Sequence, residues 1–121
     1  MTGKEYQELA MRTNDGGCED RLVKAIDTST VINVADLLNG VLGLSGEAGE
    51  VTDMVKKAVF HKHPIDINDL VKELGDVMWY VAMCCYALNI SLDDVMQINI
   101  DKLQKRYPDG FSAEASINRK E

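Results

Sequence analysis

Two pairs of acidic residues with the same spacing stand out in this chain of 121 residues. Glu47 and Glu50 form the first pair, and Glu73 and Asp76 form the second. On an α-helix, residues three apart are neighbours on the surface, so each pair points its carboxylates in one direction. If the two helices pack side by side, four negative charges share a small volume, which is unfavourable without a cation. The spacing therefore predicts a metal site between two helices.

The expected metal is a hard cation, because all the candidate ligands are carboxylate oxygens. We expect Mg²⁺, with Mn²⁺ as a substitute, and four carboxylates have the capacity for more than one ion. Such ions neutralise a polyphosphate and activate water for attack on phosphorus. Basic residues that could meet phosphates lie after the first pair and on the last predicted helix: Lys56, Lys57, Lys102 and Arg106.

The hydrophobic pattern predicts an all-α chain of four to five helices. We predict helices over about residues 4–13, 20–27, 31–60, 69–88 and 92–106. The third and fourth are long and are joined by a short link, so they should pack as an antiparallel helical hairpin. Each long helix has an apolar stripe at helical spacing. The stripes comprise Leu37, Val41, Leu44, Ala48, Val51, Val55 and Val59, and Leu70, Leu74, Val77, Val81, Cys84 and Leu88. The acidic pairs lie beside these stripes.

Four glycines recur at every third residue of the third predicted helix: Gly40, Gly43, Gly46 and Gly49. A glycine inside a helix costs about 0.8–1 kcal/mol relative to alanine, so a compensating role is expected. The helical wheel places Gly40 and Gly43 on the face of the first acidic pair, where we expect space for a ligand. Gly46 and Gly49 turn towards an expected close helix contact. The alternative is a kink or break near residues 40–46.

Composition and charge exclude several classes of protein. We predict a single domain over residues 1–121, with a polar, frayed tail over about residues 112–121. The formal net charge of −7 argues against binding to duplex nucleic acid. Three cysteines without metal or redox spacing favour a reducing, cytoplasmic location. No apolar run approaches the roughly 20 residues that a membrane span needs, so no membrane association is expected.

Two other interpretations of the acidic pairs stay open at the level of the residues. Charged helix surfaces are common, so the pairs could lie on solvated faces. Ferritin-like di-iron proteins also place carboxylates on facing helices, but they use Glu-x-x-His pairs. No histidine lies three residues after a glutamate here, and His61 and His63 fall at a predicted helix end. This weakens the di-iron interpretation.

Two stretches of the chain resemble the MazG-type all-α nucleoside triphosphate pyrophosphohydrolases. They are LGLSGEAGEV at residues 42–51 and KELGDVMWY at residues 72–80. The hallmark of that family is ExxE followed, after a couple of dozen residues, by ExxD. Further matches are Tyr6-Gln7, Arg12-Thr13, Asn99 with Lys102, and Arg106-Tyr107-Pro108, so the likeness spans about residues 5–111.

The resemblance implies hydrolysis of a (d)NTP to the monophosphate and pyrophosphate, in nucleotide-pool housekeeping. By the same likeness, the Mg²⁺ ligands and catalytic residues are Glu47, Glu50, Glu73 and Asp76. Lys102 and Arg106 would contact phosphates with support from Asn99, and Lys57 is a further candidate. Trp79 and Tyr80, with the segment around Tyr6 and Gln7, are candidates for holding the base. Some members carry an additional glutamate before the first motif glutamate, where this chain has Gly46.

The family likeness also implies a homodimer or homotetramer, in which helices from different copies complete a four-helix bundle. Our leading hypothesis is therefore a Mg²⁺-dependent nucleotide pyrophosphohydrolase. The alternative is a non-catalytic nucleotide-sensing or helical interaction module on the same scaffold. Nothing in the sequence selects the preferred base.

Overall fold

The computed structural model describes residues 1–119 and confirms the predicted all-α class. Six helices and no strand are found in this part of the chain. They are α1 (Gly3–Met11), α2 (Cys18–Thr28), α3 (Val34–Phe60), α4 (Ile67–Ala87), α5 (Leu92–Arg106) and α6 (Ala113–Ile117). The five predicted helices are present, and α6 lies within the predicted frayed tail. The last two residues of that tail lie outside the described residues.

Side-chain caps define where the long helices begin. The Asn33 side chain accepts a hydrogen bond from the Asp36 backbone amide at 3.0 Å, which starts α3. Asp66 starts α4 by accepting from the Asn68 and Asp69 amides at 2.9 and 3.2 Å. Because α3 continues without interruption from Val34 to Phe60, there is no break near residues 40–46.

The antiparallel α3–α4 hairpin is the main packing unit of the chain. The Asn33 amide donates to the Ala87 carbonyl at 2.9 Å, which ties the start of α3 to the end of α4. Near that end the helices approach closely at Gly40, where an added Cβ would lie 2.8 Å from Cys84 Sγ. This confirms the predicted hairpin.

The glycines of α3 play the opposite roles to those expected. A Cβ on Gly43 would collide with the Tyr80 ring, and Gly40 lies against Cys84, so helix packing fills the expected ligand space. Gly46 and Gly49 have open space around their Cβ positions and do not form the close contact. The reason is that α4 packs on the face of α3 that carries Gly40, Gly43 and Glu47, and not on the apolar stripe.

Part of each predicted apolar stripe stays exposed in the single chain. Leu44 and Val51 are half-buried, whereas four other large stripe residues are exposed, together with Val71 and Met78, which lie beside the α4 stripe. We call these six the outer apolar face: Val41, Val55, Val59, Val71, Leu74 and Met78. At about 100° per residue, helical geometry puts all six on one side of the hairpin, opposite the side that carries Glu50 and Asp76.

The total exposed surface is large for a chain of this length. The accessible surface is 9858 Å², about one and a half times the roughly 6,500 Å² expected of a folded monomer. In the described part of the chain, the buried hydrophobic residues are Cys85 and Ala87. Within residues 1–119, α2 touches α3 over a small area, and α1, α5 and α6 make little contact with the α3–α4 hairpin.

Two sequence-based expectations concern cysteines and membranes. All three cysteines are free, as expected for a chain without a disulfide framework. Within residues 1–119, no helix combines the length and apolar character that crossing a bilayer requires. The cytoplasmic location stays a prediction.

Candidate metal centre

Three of the four predicted metal ligands meet across the hairpin. Glu47 of α3 and Glu73 and Asp76 of α4 offer carboxylate oxygens that all lie within 4.8 Å of one another. Glu47 and Glu73 are half-buried, and Asp76 is exposed. We call this group the carboxylate cluster. It forms because Glu73 and Asp76 are neighbours on one helix face, and the hairpin register brings Glu47 opposite them.

The electrostatics of the cluster favour a cation. The pKa of Glu47 is raised, first by its partial removal from solvent and then by the charges of Asp76 and Glu73. A hydrogen bond with Glu73 and the charge of Glu50 act in the same direction. Oxygens on opposite sides of one bound Mg²⁺ lie about 4.2 Å apart, so the cluster needs little closure to hold such an ion. The donor set therefore fits a hard divalent cation.

Glu50, the fourth predicted ligand, lies at the edge of the cluster. Its charge acts on Glu47 on one side and on Lys57 on the other. It also lines a cleft of about 310 Å³ between the end of α3 and the start of α4, together with Lys57 and His63. Glu50 therefore lies between the carboxylate cluster and a cleft that is lined by the positively charged Lys57.

Lys57 is held by an ion pair that the sequence analysis did not identify. Its Nζ lies 2.6 Å from Asp53 Oδ2. Their hydrogen bond is the main cause of a raised pKa for Lys57 and a lowered pKa for Asp53. The signal was available, because an acid four residues before a lysine is a favourable helical pair.

The two aromatic candidates for base binding differ in their surroundings. Tyr80 is half-buried against Gly43, while Trp79 is exposed. Their rings meet edge to face, with centroids 4.9 Å apart and planes at 81°. Tyr80 is thus a packing residue of the hairpin, and Trp79 presents an indole to solvent beside it. A contact of either ring with substrate stays a prediction.

The α5 candidates are not seen at the cluster in the described chain. Asn99 is exposed, and Lys102 and Arg106 are half-buried. Arg106 lies 5.9 Å from the centroid of the Tyr107 ring. The charges that act on Glu47 come from Asp76, Glu73 and Glu50, all of them negative. Phosphate binding by the α5 residues stays a prediction.

The fold and the cluster together define an all-α protein with a candidate divalent-metal centre on a helical hairpin. Residues 36–111 match the family model of the MazG nucleotide pyrophosphohydrolase domain. The chain belongs to this family, which confirms the resemblance seen in its acidic motifs.

One relative extends the comparison. The chain is 43% identical over 82 residues to the Gene 37 protein of Mycobacterium phage L5. The alignment covers 64% of this chain and 72% of that protein, whose name assigns no activity. No solved structure matches the chain significantly.

Proposed function

We propose that this protein is a Mg²⁺-dependent nucleoside triphosphate pyrophosphohydrolase. It would convert a (d)NTP to the monophosphate and pyrophosphate as part of nucleotide-pool housekeeping. The observation that carries the proposal is the carboxylate cluster, whose oxygens lie within 4.8 Å of one another. Membership of the MazG nucleotide pyrophosphohydrolase family supplies the reaction class.

In this proposal, Glu47, Glu73 and Asp76 hold the divalent ion. The bound ion would neutralise phosphate charge and lower the pKa of a water. Glu50, at the edge of the cluster, is placed to complete the ligand set or to orient the attacking water. Lys57 lies in the adjoining cleft and is positively charged at neutral pH, as lysine side chains ordinarily are. It would meet a phosphate that extends from the cluster.

The remaining predicted site residues take supporting roles in the proposal. Lys102 and Arg106, with Asn99, would contact phosphates once substrate and α5 come together. Trp79 has the exposed aromatic surface that stacking on a base requires. Tyr80 lies next to it and orients the indole through their edge-to-face contact. The preferred base is left to experiment.

We also infer that the working unit is a homodimer or homotetramer. The outer apolar face and the excess exposed surface support this inference, because they leave more apolar area in water than a monomer of this length should. Two hairpins that meet through their outer apolar faces would form a four-helix bundle. Their carboxylate clusters would then lie on the sides facing away from that contact.

The direct test is a panel of nucleoside triphosphates assayed for pyrophosphate release with Mg²⁺ and with a chelator. We expect release from at least one nucleotide, and only with the metal. Glu73→Gln and Asp76→Asn should lower the rate at least on the order of 100-fold with unchanged helical content, because each removes a metal ligand. Glu19→Gln, an exposed change on α2, is the matched control and should keep full activity.

Two outcomes of the panel would contradict the proposal. Release of orthophosphate in place of pyrophosphate would show that the enzyme cleaves a different phosphoanhydride bond from the one proposed. Nucleotide binding without turnover across the whole panel would favour a non-catalytic nucleotide-sensing module.

A further inference from the structure

The contact between Gly43 and Tyr80 is the tightest glycine contact of the described chain. A Cβ on Gly43 would overlap the Tyr80 ring, whereas Gly46, Gly49 and Gly75 have no atom within 4 Å of their Cβ positions. The half-buried Tyr80 ring thus occupies the space beside the α3 backbone that the side chain of any other residue type would fill. The contact depends on the absence of a side chain at residue 43.

The position of this contact relative to the carboxylate cluster gives it significance. Gly43 precedes Glu47 by four residues, and Tyr80 follows Asp76 by four residues, about one helical turn in each case. Because the helices are antiparallel, the ring lies one layer from the cluster. A change in the distance between α3 and α4 at Tyr80 would therefore change how closely Glu47 approaches Glu73 and Asp76.

The same contact orients an exposed aromatic side chain. Tyr80 meets the Trp79 indole edge to face, at a centroid distance of 4.9 Å. A shift of the Tyr80 ring away from α3 would remove the surface on which this indole rests. Trp79 is the only tryptophan of the chain, so the fluorescence of the protein reports on the surroundings of this one side chain.

We propose that Gly43 and Tyr80 are positioning residues that set the α3–α4 distance and thereby hold Glu47, Glu73 and Asp76 close enough to bind a divalent ion. This inference rests on the metal site of the proposed function. Its new content is that a glycine outside the acidic motifs controls metal affinity through a packed ring.

The test compares Mn²⁺ affinity of the purified protein, measured by electron paramagnetic resonance, with Trp79 fluorescence and helical content. Gly43→Ala should weaken Mn²⁺ binding on the order of 10-fold, as expected for a residue that orients metal ligands. It should also change the Trp79 emission. Gly46→Ala and Gly75→Ala add the same methyl group in open space, so both should bind Mn²⁺ like the wild type.

A second substitution tests whether the effect acts through the ring. In a Tyr80→Ala background, where the added methyl group has room, Gly43→Ala should cause no further loss of Mn²⁺ affinity. Tyr80→Ala alone should weaken binding, which also covers the case in which Gly43→Ala does not fold. These readouts need no substrate and no turnover.

The possible results separate this inference from the proposed function. Wild-type protein that binds no Mn²⁺ would overturn the metal site itself and this inference with it. Wild-type affinity in both Gly43→Ala and Tyr80→Ala would overturn only the positioning role. The same would follow from an equal loss in Gly46→Ala and Gly75→Ala, or from an undiminished effect of Gly43→Ala in the Tyr80→Ala background.

Discussion

At the scale of single residues, the surroundings of Glu47 oppose its negative charge. It is half-buried and faces two other carboxylates, so its pKa is raised above the ordinary value of 4.5. Below that value Glu47 is protonated in both the folded and the unfolded state and contributes no pH dependence. As the pH rises through 4.5, the unfolded chain loses this proton before the folded chain does. Ionisation of Glu47 therefore lowers the stability of the metal-free protein, and the loss is complete above its raised pKa.

Glu47→Gln should make the metal-free protein more stable at neutral pH, because it removes this charge from the cluster. The gain in melting temperature should shrink as the pH is lowered towards 4.5 and should vanish below it. Thermal melts in a chelating buffer across that range would measure it. The matched control is Glu19→Gln, which should lose a little stability, because it removes a negative charge from the first turn of α2.

With millimolar Mg²⁺, the wild type should become more stable than Glu47→Gln. An ion that binds only the folded state stabilises it by mass action, so the wild type should gain more than Glu47→Gln. A wild-type gain no larger than that from monovalent salt at equal ionic strength would count against a specific site.

At the scale of helices, the sequence was sufficient to predict the hairpin and most of the carboxylate cluster. Spacing of three within a helix is a local property, so it places Glu73 next to Asp76 whatever the tertiary fold. The short link between α3 and α4 then made their antiparallel packing predictable. The spacing and the short link together predicted that Glu47 would meet Glu73 and Asp76 across the hairpin.

The face of α3 that meets α4 could not be predicted from its apolar stripe. That stripe includes Val55 and Val59, which α4 does not cover, as well as Leu44 and Val51, which it partly covers. An apolar pattern indicates which side of a helix is kept from water, but it does not identify the helix or chain that covers that side. For this reason the sequence analysis expected open space at Gly43 and a close helix contact at Gly49, and the structure shows the reverse. Both roles depend on which side of α3 faces α4.

Gly49→Ala should stabilise α3, because its Cβ position is open and alanine favours the helix. The expected gain is about 0.8–1 kcal/mol, or roughly 4 °C in melting temperature. Chemical denaturation and thermal melts of both proteins would measure it. A lower stability would show that another part of the assembled protein occupies the space beside Gly49.

At the scale of the whole molecule, the hairpin has two unlike sides. One carries the outer apolar face, and the other carries the exposed acidic residues beside the cluster, such as Glu50 and Asp76. A standard interface removes about 800 Å² from each partner, and the surface excess of this chain is several times larger. The two sides together suggest that one serves assembly and the other serves chemistry.

The protein should therefore sediment as a homodimer or homotetramer at micromolar concentration. Met78→Asp places a charge in the outer apolar face and should shift the protein towards smaller species and lower stability. The same charge at exposed Gln104 of α5 is the matched control. Sedimentation of the wild type as a monomer would contradict the proposed assembly.

The most direct test of the central claim is hydrolysis of a preferred nucleotide in isotopically labelled water, with Mg²⁺ present. Product analysis by mass spectrometry shows which phosphorus the water attacks. The account predicts labelled nucleoside monophosphate and unlabelled pyrophosphate, with turnover by Glu73→Gln lower by at least on the order of 100-fold. Label in pyrophosphate or orthophosphate, or equal turnover by that variant, would contradict it.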